Sequence, residues 1–149
     1  MKFATRYLVP ALFSLCAAGC ASGPSYEEFS GAIEPPLPLD GRIYFYSTTD
    51  THTDFRLPVT LNGEEVGKVR PNGFFYVDRL TGQYEISVPA AERNLSLALQ
   101  DGDVIYIKVD ARTGLFAGRV ELVPVDRSVG ERELNSTTYV GKQAVVARH

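Results

Sequence analysis

Few residues in this chain combine a reactive side chain with a spacing that could use it. Asp50-Thr-His-Thr-Asp54 is the densest polar group, and His52 is one of two histidines, the other being the terminal His149. A hydrolytic reading makes His52 a general base oriented by Asp50 or Asp54, with Ser47 or a nearby threonine as nucleophile. A metal reading takes the same imidazole with the two carboxylates. Either needs further groups from elsewhere, and the sequence holds no second internal histidine and no cysteine beyond position 20 to supply them. Asp, Thr and His are also the ordinary content of an exposed loop. Asp101-Gly-Asp103 with Asp110 lacks the spacing of a calcium loop and its terminal bidentate Glu, so a turn between strands is expected there. Gly63, Gly67, Gly73 and Gly82 lack the strand–loop–helix setting that cradles phosphate. No catalytic, cofactor or metal residue is assigned on this basis. Two thiols remain, Cys16 and Cys20.

Both thiols lie in what reads as a targeting segment. Lys2 and Arg6 precede an apolar run over residues 7–18, shorter than the roughly 20 residues of a spanning helix. Its flanks and length are those of a secretory signal. Ala17-Ala18-Gly19-Cys20 then resembles the lipobox of bacterial lipoproteins, although the position three before the cysteine is most often Leu and here is Ala17. In that family the thiol takes a diacylglycerol, a peptidase cuts before the cysteine, and the new amine is acylated, palmitate being a typical chain. The resemblance implies loss of residues 1–19 and a membrane partner held through lipid on Cys20. Each buried methylene contributes roughly 0.8 kcal/mol, so two or three acyl chains hold a domain that one would not. Ala21 follows the cysteine where an Asp would favour the inner membrane, which implies the outer one. The alternative is an ordinary signal cut after Ala21.

With the leader gone, Cys20 is the sole thiol and no intramolecular disulfide can form. The 130 remaining residues carry 13 basic and 18 acidic side chains, a net charge of −5. Such a chain buries about two-thirds of its surface and stands on its hydrophobic core. Without basic runs it offers nothing to nucleic acid, and its acidic balance argues against electrostatic docking on anionic lipid.

What must position these residues is a series of short strands. Residues 21–40 hold four of the nine prolines and read as a semi-extended tether, with Tyr26, Phe29 and Ile33 as the residues that would instead pack as a partial turn. From Gly41 the apolar residues recur with period two: residues 42–46, 57–61, 74–78, 84–88 and 95–99. Asn62-Gly63 is a strong hairpin signal, because both residues tolerate the positive φ of a type I′ turn, and residues 64–70 are the returning strand. Residues 104–109 are dense enough for a two-sided central strand, and 116–125 form the last one. Ser128 with Glu131 suggests the cap of a short helix over 128–135. Residues 136–149 read as a loosely held tail in which 144–146 could pair with an edge. Eight Phe and eight Tyr, with no Trp, place aromatics on both faces of 43–46 and 74–77. Those faces are either both buried or one is a binding surface. The turn spacing predicts a single all-β domain over 41–135, an antiparallel β-sandwich of seven or eight strands.

Gly41-Arg-Ile-Tyr-Phe-Tyr46, Val59-Thr-Leu-Asn-Gly63 with Val66-Gly67, Gly73-Phe-Phe-Tyr76 and Gly82-Gln-Tyr-Glu-Ile-Ser-Val88 resemble a family of small bacterial lipoproteins whose shared domain is of unknown function. Gly102-Asp-Val-Ile-Tyr-Ile-Lys108 and Leu122-Val-Pro-Val125 fit the same pattern, so the likeness runs over about 41–134. In turn spacing, residues 59–88 also resemble small surface-protein domains with a Pro-Glu-Gly-Ala-like signature, which is not literally present here; the resemblance implies their transthyretin-like sandwich fold, and the strand count alone suits a transthyretin-like or immunoglobulin-like sandwich. The resemblance implies fold and address, and no activity. The expectation is a non-enzymatic interaction or structural module in the cell envelope, with an envelope protein or a glycan as partner. The alternatives are an envelope hydrolase using the His52 loop and a peptidoglycan-binding domain.

Overall fold

The computed structural model describes residues 23–49, 55–112 and 119–141. The leader, Cys20, the loop carrying Asp50, His52 and Asp54, the first residues of the strand expected from 116, and residues 144–146 lie outside those described.

Alternation of apolar residues builds two sheets. One holds β1 (Asp40–Ser47), β4 (Gly73–Leu80), β7 (Val104–Arg112), β8 (Arg119–Val125) and β9 (Thr138–Tyr139), in the order β8-β7-β1-β4-β9. The other holds β2 (Leu57–Leu61), β3 (Glu64–Val69), β5 (Gly82–Ser87) and β6 (Leu95–Leu99), in the order β3-β2-β5-β6. Asn62 and Gly63, at φ 49° and 85°, make the tight turn between β2 and β3. Ile43 and Phe45 point from β1 toward the second sheet, and Phe45 stacks on its β4 neighbour Phe75 with ring centroids 5.2 Å apart. Val59, Leu61, Val69, Ile86 and Leu99 are the buried residues of the second sheet.

The four-stranded sheet is antiparallel, as its hairpins require. The five-stranded sheet is mixed, which corrects the expectation of a wholly antiparallel sandwich: β1 pairs with β7 in parallel, and β4 with β9. The reason is connectivity. Between β1 and β7 the chain builds β2 to β6 and returns in its original direction, so no tight turn forces reversal.

Arg42, Tyr44 and Tyr46 point to the opposite side of β1, where a sandwich of two layers would leave them in water. They are 5%, 5% and 0% exposed, because a third layer covers them. Its first part is α1 (Tyr26–Ser30), inside the stretch expected to be a tether. Ser25 and Glu28 form a reciprocal capping box: the Glu28 carboxylate accepts from the Ser25 backbone N–H at 3.0 Å, and the Ser25 hydroxyl accepts from the Glu28 N–H. This local pattern starts a helix despite the nearby prolines. Tyr26 then meets Phe74 edge-on at 5.5 Å, and Phe29 stacks on Tyr139 at 4.0 Å.

The second part is α2 (Arg127–Leu134), where the sequence suggests a helix, but its N-cap is Asp126 and not Ser128. Gly130 lets it lie directly on β7, since a Cβ there would overlap the Tyr106 ring. Residues 136–141 of the expected loose tail are among those described. Thr137 and Tyr139 are buried, and β9 is held on one side by β4 and on the other by the Tyr139 N–H, which donates to the Pro24 carbonyl at 2.9 Å.

Candidate functional site

The outer face of the five-stranded sheet gathers the polar side chains least expected in a sheet interior. β1 and β4 pair so that Arg42 lies opposite Asp78. The guanidinium donates through Nε and Nη2 to the two carboxylate oxygens, both at 2.7 Å, and Nη2 also donates to the Glu34 carbonyl at 2.8 Å. The same group sits 4.3 Å from the Tyr76 ring centre, where the ring's negative face favours a cation. Burial works against the Arg42 charge, but the hydrogen bonds and charge of Asp78 outweigh it and keep the group protonated.

Further along the face, Glu133 of α2 reaches back to the sheet. It accepts from the Tyr46 hydroxyl at 2.8 Å and from Lys108 Nζ at 3.0 Å. Burial pushes this carboxyl up, yet those bonds and the charges of Lys108 and Arg132 leave it below the usual carboxylate range. Burial, with Tyr26 nearby, pushes the Tyr44 hydroxyl up to about 12, and burial raises Tyr46 and Tyr106 further. These phenols therefore stay protonated and act as donors and apolar surface, not as nucleophiles. Among the described residues no buried side-chain N or O lacks a hydrogen-bond partner.

Two depressions open onto this framework. The outer cleft, about 620 Å³, lies between residues 32–40 and the sheet, with Phe29, Ile33 and Leu37 on its walls and the Arg42–Asp78 pair on its floor. Beside it are Leu37, Leu39 and Leu80, exposed by 72%, 61% and 63%. Leu39 holds φ 71°, a left-handed conformation rare for a bulky residue, fixed by its N–H on Asp101 Oδ1 at 2.8 Å and its carbonyl on the Thr81 N–H at 2.9 Å. The second depression, about 510 Å³, lies along the β3 and β9 edges, with Arg56, Lys68 and Arg70 around it and Phe75 and Tyr139 inside.

The residues singled out in sequence fare differently. Asp101 and Asp103 are turn residues: Asp103 Oδ2 accepts from the Gln100 N–H at 2.9 Å. Ser47, the nucleophile of the hydrolytic reading, is fully buried and exchanges hydrogen bonds with Thr49, its hydroxyl donating at 3.1 Å. Neither Cys20 nor His52 is among the described residues. No group of three or more His, Cys, Asp or Glu among those residues is arranged to hold a metal ion, and no described helix is long and apolar enough to cross a membrane. The Arg42–Asp78 pair and both depressions were missed. Arg42 within an apolar strand was the available signal, and only strand pairing reveals its partner.

Residues 40–120 match a family model described as a protein of unknown function, DUF2846. The chain belongs to the DUF2846 family. The matched segment runs from the first residue of β1 into β8, and so holds Arg42, Asp78, Tyr76 and the whole second sheet. The two helices and β9, which cover the outer face of the DUF2846 sheet, fall outside it. No curated protein matches the chain.

Proposed function

We propose that this DUF2846 protein is a bacterial envelope lipoprotein, cut before Cys20 and held by lipid on that cysteine, whose domain binds a partner without performing chemistry on it. The binding part rests on one observation. Three leucines stand exposed beside the outer cleft, while the cleft's floor cation is already committed to Asp78 and the Glu34 carbonyl. An apolar rim over an internally satisfied floor suits an apolar or proline-containing segment of another envelope protein. Such a segment covers the leucines and asks for no new charge partner. The lipid part is supported by the Ala17-Ala18-Gly19-Cys20 run and the short apolar leader before it. The Ala21 that follows favours the outer membrane.

Complementation of a deletion strain tests the proposal. Cys20→Ala and the pair Leu37→Asp with Leu80→Asp should fail to restore the envelope phenotype, with circular dichroism showing the leucine variant folded, and His52→Ala should restore it. Restoration by the leucine variant, or loss with His52→Ala, overturns the binding reading. Intact mass tests the anchor separately: the mature chain should start at Cys20 and carry acyl mass.

A further inference from the structure

Chain reach and charge together orient this domain. The segment after the lipidation cysteine does not hang free for twenty residues. Ser25 bridges to Thr138, Pro24 accepts from the Tyr139 N–H at 2.9 Å, and Gly23 lies so close to the Tyr139 carbonyl that a Cβ would collide with it. From Gly23 to Ser25 the chain is therefore held against the edge formed by β9. Two residues lie between Cys20 and Gly23, and the three Cα–Cα steps this makes cover at most about 3.6 Å each, or about 11 Å in all. Lipid on Cys20 places the bilayer surface within that reach of the β9 edge.

The groove on that edge carries the matching charge. Arg56 and Lys68 are exposed and Arg70 half-buried. Glu65 is the one carboxylate among the residues that line it, paired with Lys68 at 3.7 Å, and among the described residues neither Arg56 nor Arg70 has an ion pair. Tyr139, against which Gly23 packs, lines the same groove. The chain without residues 1–19 has a net charge of −5, so anionic lipid repels the body as a whole. Fields of this kind fade within about 10 Å, which makes the side turned to the surface decisive. We infer that the domain seats its β3/β9 edge on the membrane that holds the Cys20 lipid, with Arg56, Lys68 and Arg70 against anionic phospholipid headgroups. This seat rests on the lipoprotein reading.

The absence of Trp makes the test direct. Two single-Trp versions of the full chain, Glu65→Trp on the groove and Glu121→Trp on β8 at the opposite edge, are purified in lipidated form. They are reconstituted into vesicles of phosphatidylcholine with or without phosphatidylglycerol, with lipids brominated near the headgroup as quenchers. The Glu65→Trp signal should be quenched in the anionic vesicles and the Glu121→Trp signal spared. Arg56→Glu, Lys68→Glu and Arg70→Glu together should abolish that quenching while the protein still floats with the vesicles. Neutralising one cation should lower the ratio of seated to unseated protein about fivefold at low salt. Equal quenching of the two reporters, or quenching untouched by charge reversal, in protein that floats overturns the seat and leaves the anchor standing. Protein that carries no acyl mass and fails to float overturns the anchor, and the seat with it.

Discussion

Leu39 combines two costs, a left-handed backbone and an apolar side chain 61% exposed to water. A left-handed residue other than glycine is strained by roughly 1–2 kcal/mol, and glycine returns part of that gain as unfolded-state entropy. Leu39→Gly is therefore expected to raise stability by about 0.5–1 kcal/mol in urea denaturation and, on the proposed function, to weaken capture of a partner. Stabilisation with partner binding unchanged would detach Leu39 from the cleft's function. Asp78 makes the opposite case. Its side chain is 29% exposed, but Arg42 at 6% is not, so Asp78→Ala leaves a guanidinium in the sheet with only the Glu34 carbonyl and the Tyr76 ring. Orphaning a fully buried charge costs about 3–5 kcal/mol, and partial exposure here brings the expected loss to about 2–3 kcal/mol, read from the urea midpoint. At this scale the sequence was only partly legible. Turn residues such as Asn62, Gly63, Asp101 and Asp103 act locally, so their turns are legible in the sequence. Arg42 and Asp78 lie 36 positions apart, and their partnership exists only once β1 and β4 pair in register.

The elements show the same division between local and distant causes. Eight strands follow from period-two alternation and from turns that punctuate it, because each such signal lies within about ten residues. The parallel pairing of β1 with β7 leaves no local trace. The capping box of α1 was present as Ser25-Tyr-Glu-Glu28 but was masked by four prolines in the surrounding stretch, and a five-residue helix has no apolar periodicity to reveal it. Helix α2 offers a test in which propensity and packing disagree. Ala is better than Gly by about 1 kcal/mol in a helix interior, yet at Gly130 a methyl would press into Tyr106. Gly130→Ala is expected to destabilise by about 1–3 kcal/mol, and a gain instead would mean that α2 can slide off β7 freely. The same helix ties stability to pH through Glu133. Its folded-state pKa lies below the ordinary value, so its contribution is complete above that ordinary value, near 4.3, and is lost as pH falls through the folded one. Lys108→Met should therefore cost about 1 kcal/mol at pH 7, and the deficit should shrink as the pH drops below about 4. A pH-independent deficit would assign Lys108's role to packing.

On the scale of the whole molecule, described residues on either side of the family segment close over one face of the sheet. The family segment, residues 40–120, contains neither helix and not β9, so on its own it would present Tyr44, Phe74, Tyr76 and Tyr106 to water. Each large aromatic buries about 150–250 Å², and together they would exceed the patch of roughly 300–600 Å² that ordinary monomers expose. A fragment of residues 40–120 is accordingly expected to bind a hydrophobic dye and self-associate, whereas residues 23–141 should not. The two ends also depend on each other. Phe29, from the N-terminal helix, stacks on Tyr139, from the C-terminal strand, at 4.0 Å and 19° between planes, and both rings pack on Phe74. If α1 docks on a surface that β9 completes, removing either ring forfeits much of what the other contributes. Phe29→Ala and Tyr139→Ala, combined in a double-mutant cycle under urea, should then show a coupling energy of about 0.5–1.5 kcal/mol. Strict additivity would mean that the N-terminal segment docks independently of β9. On the proposed membrane seat, the bilayer's distance would then be set by a looser connection than the Tyr139 contact with Pro24 and Gly23 describes, and the quenching difference between Glu65→Trp and Glu121→Trp should narrow in step.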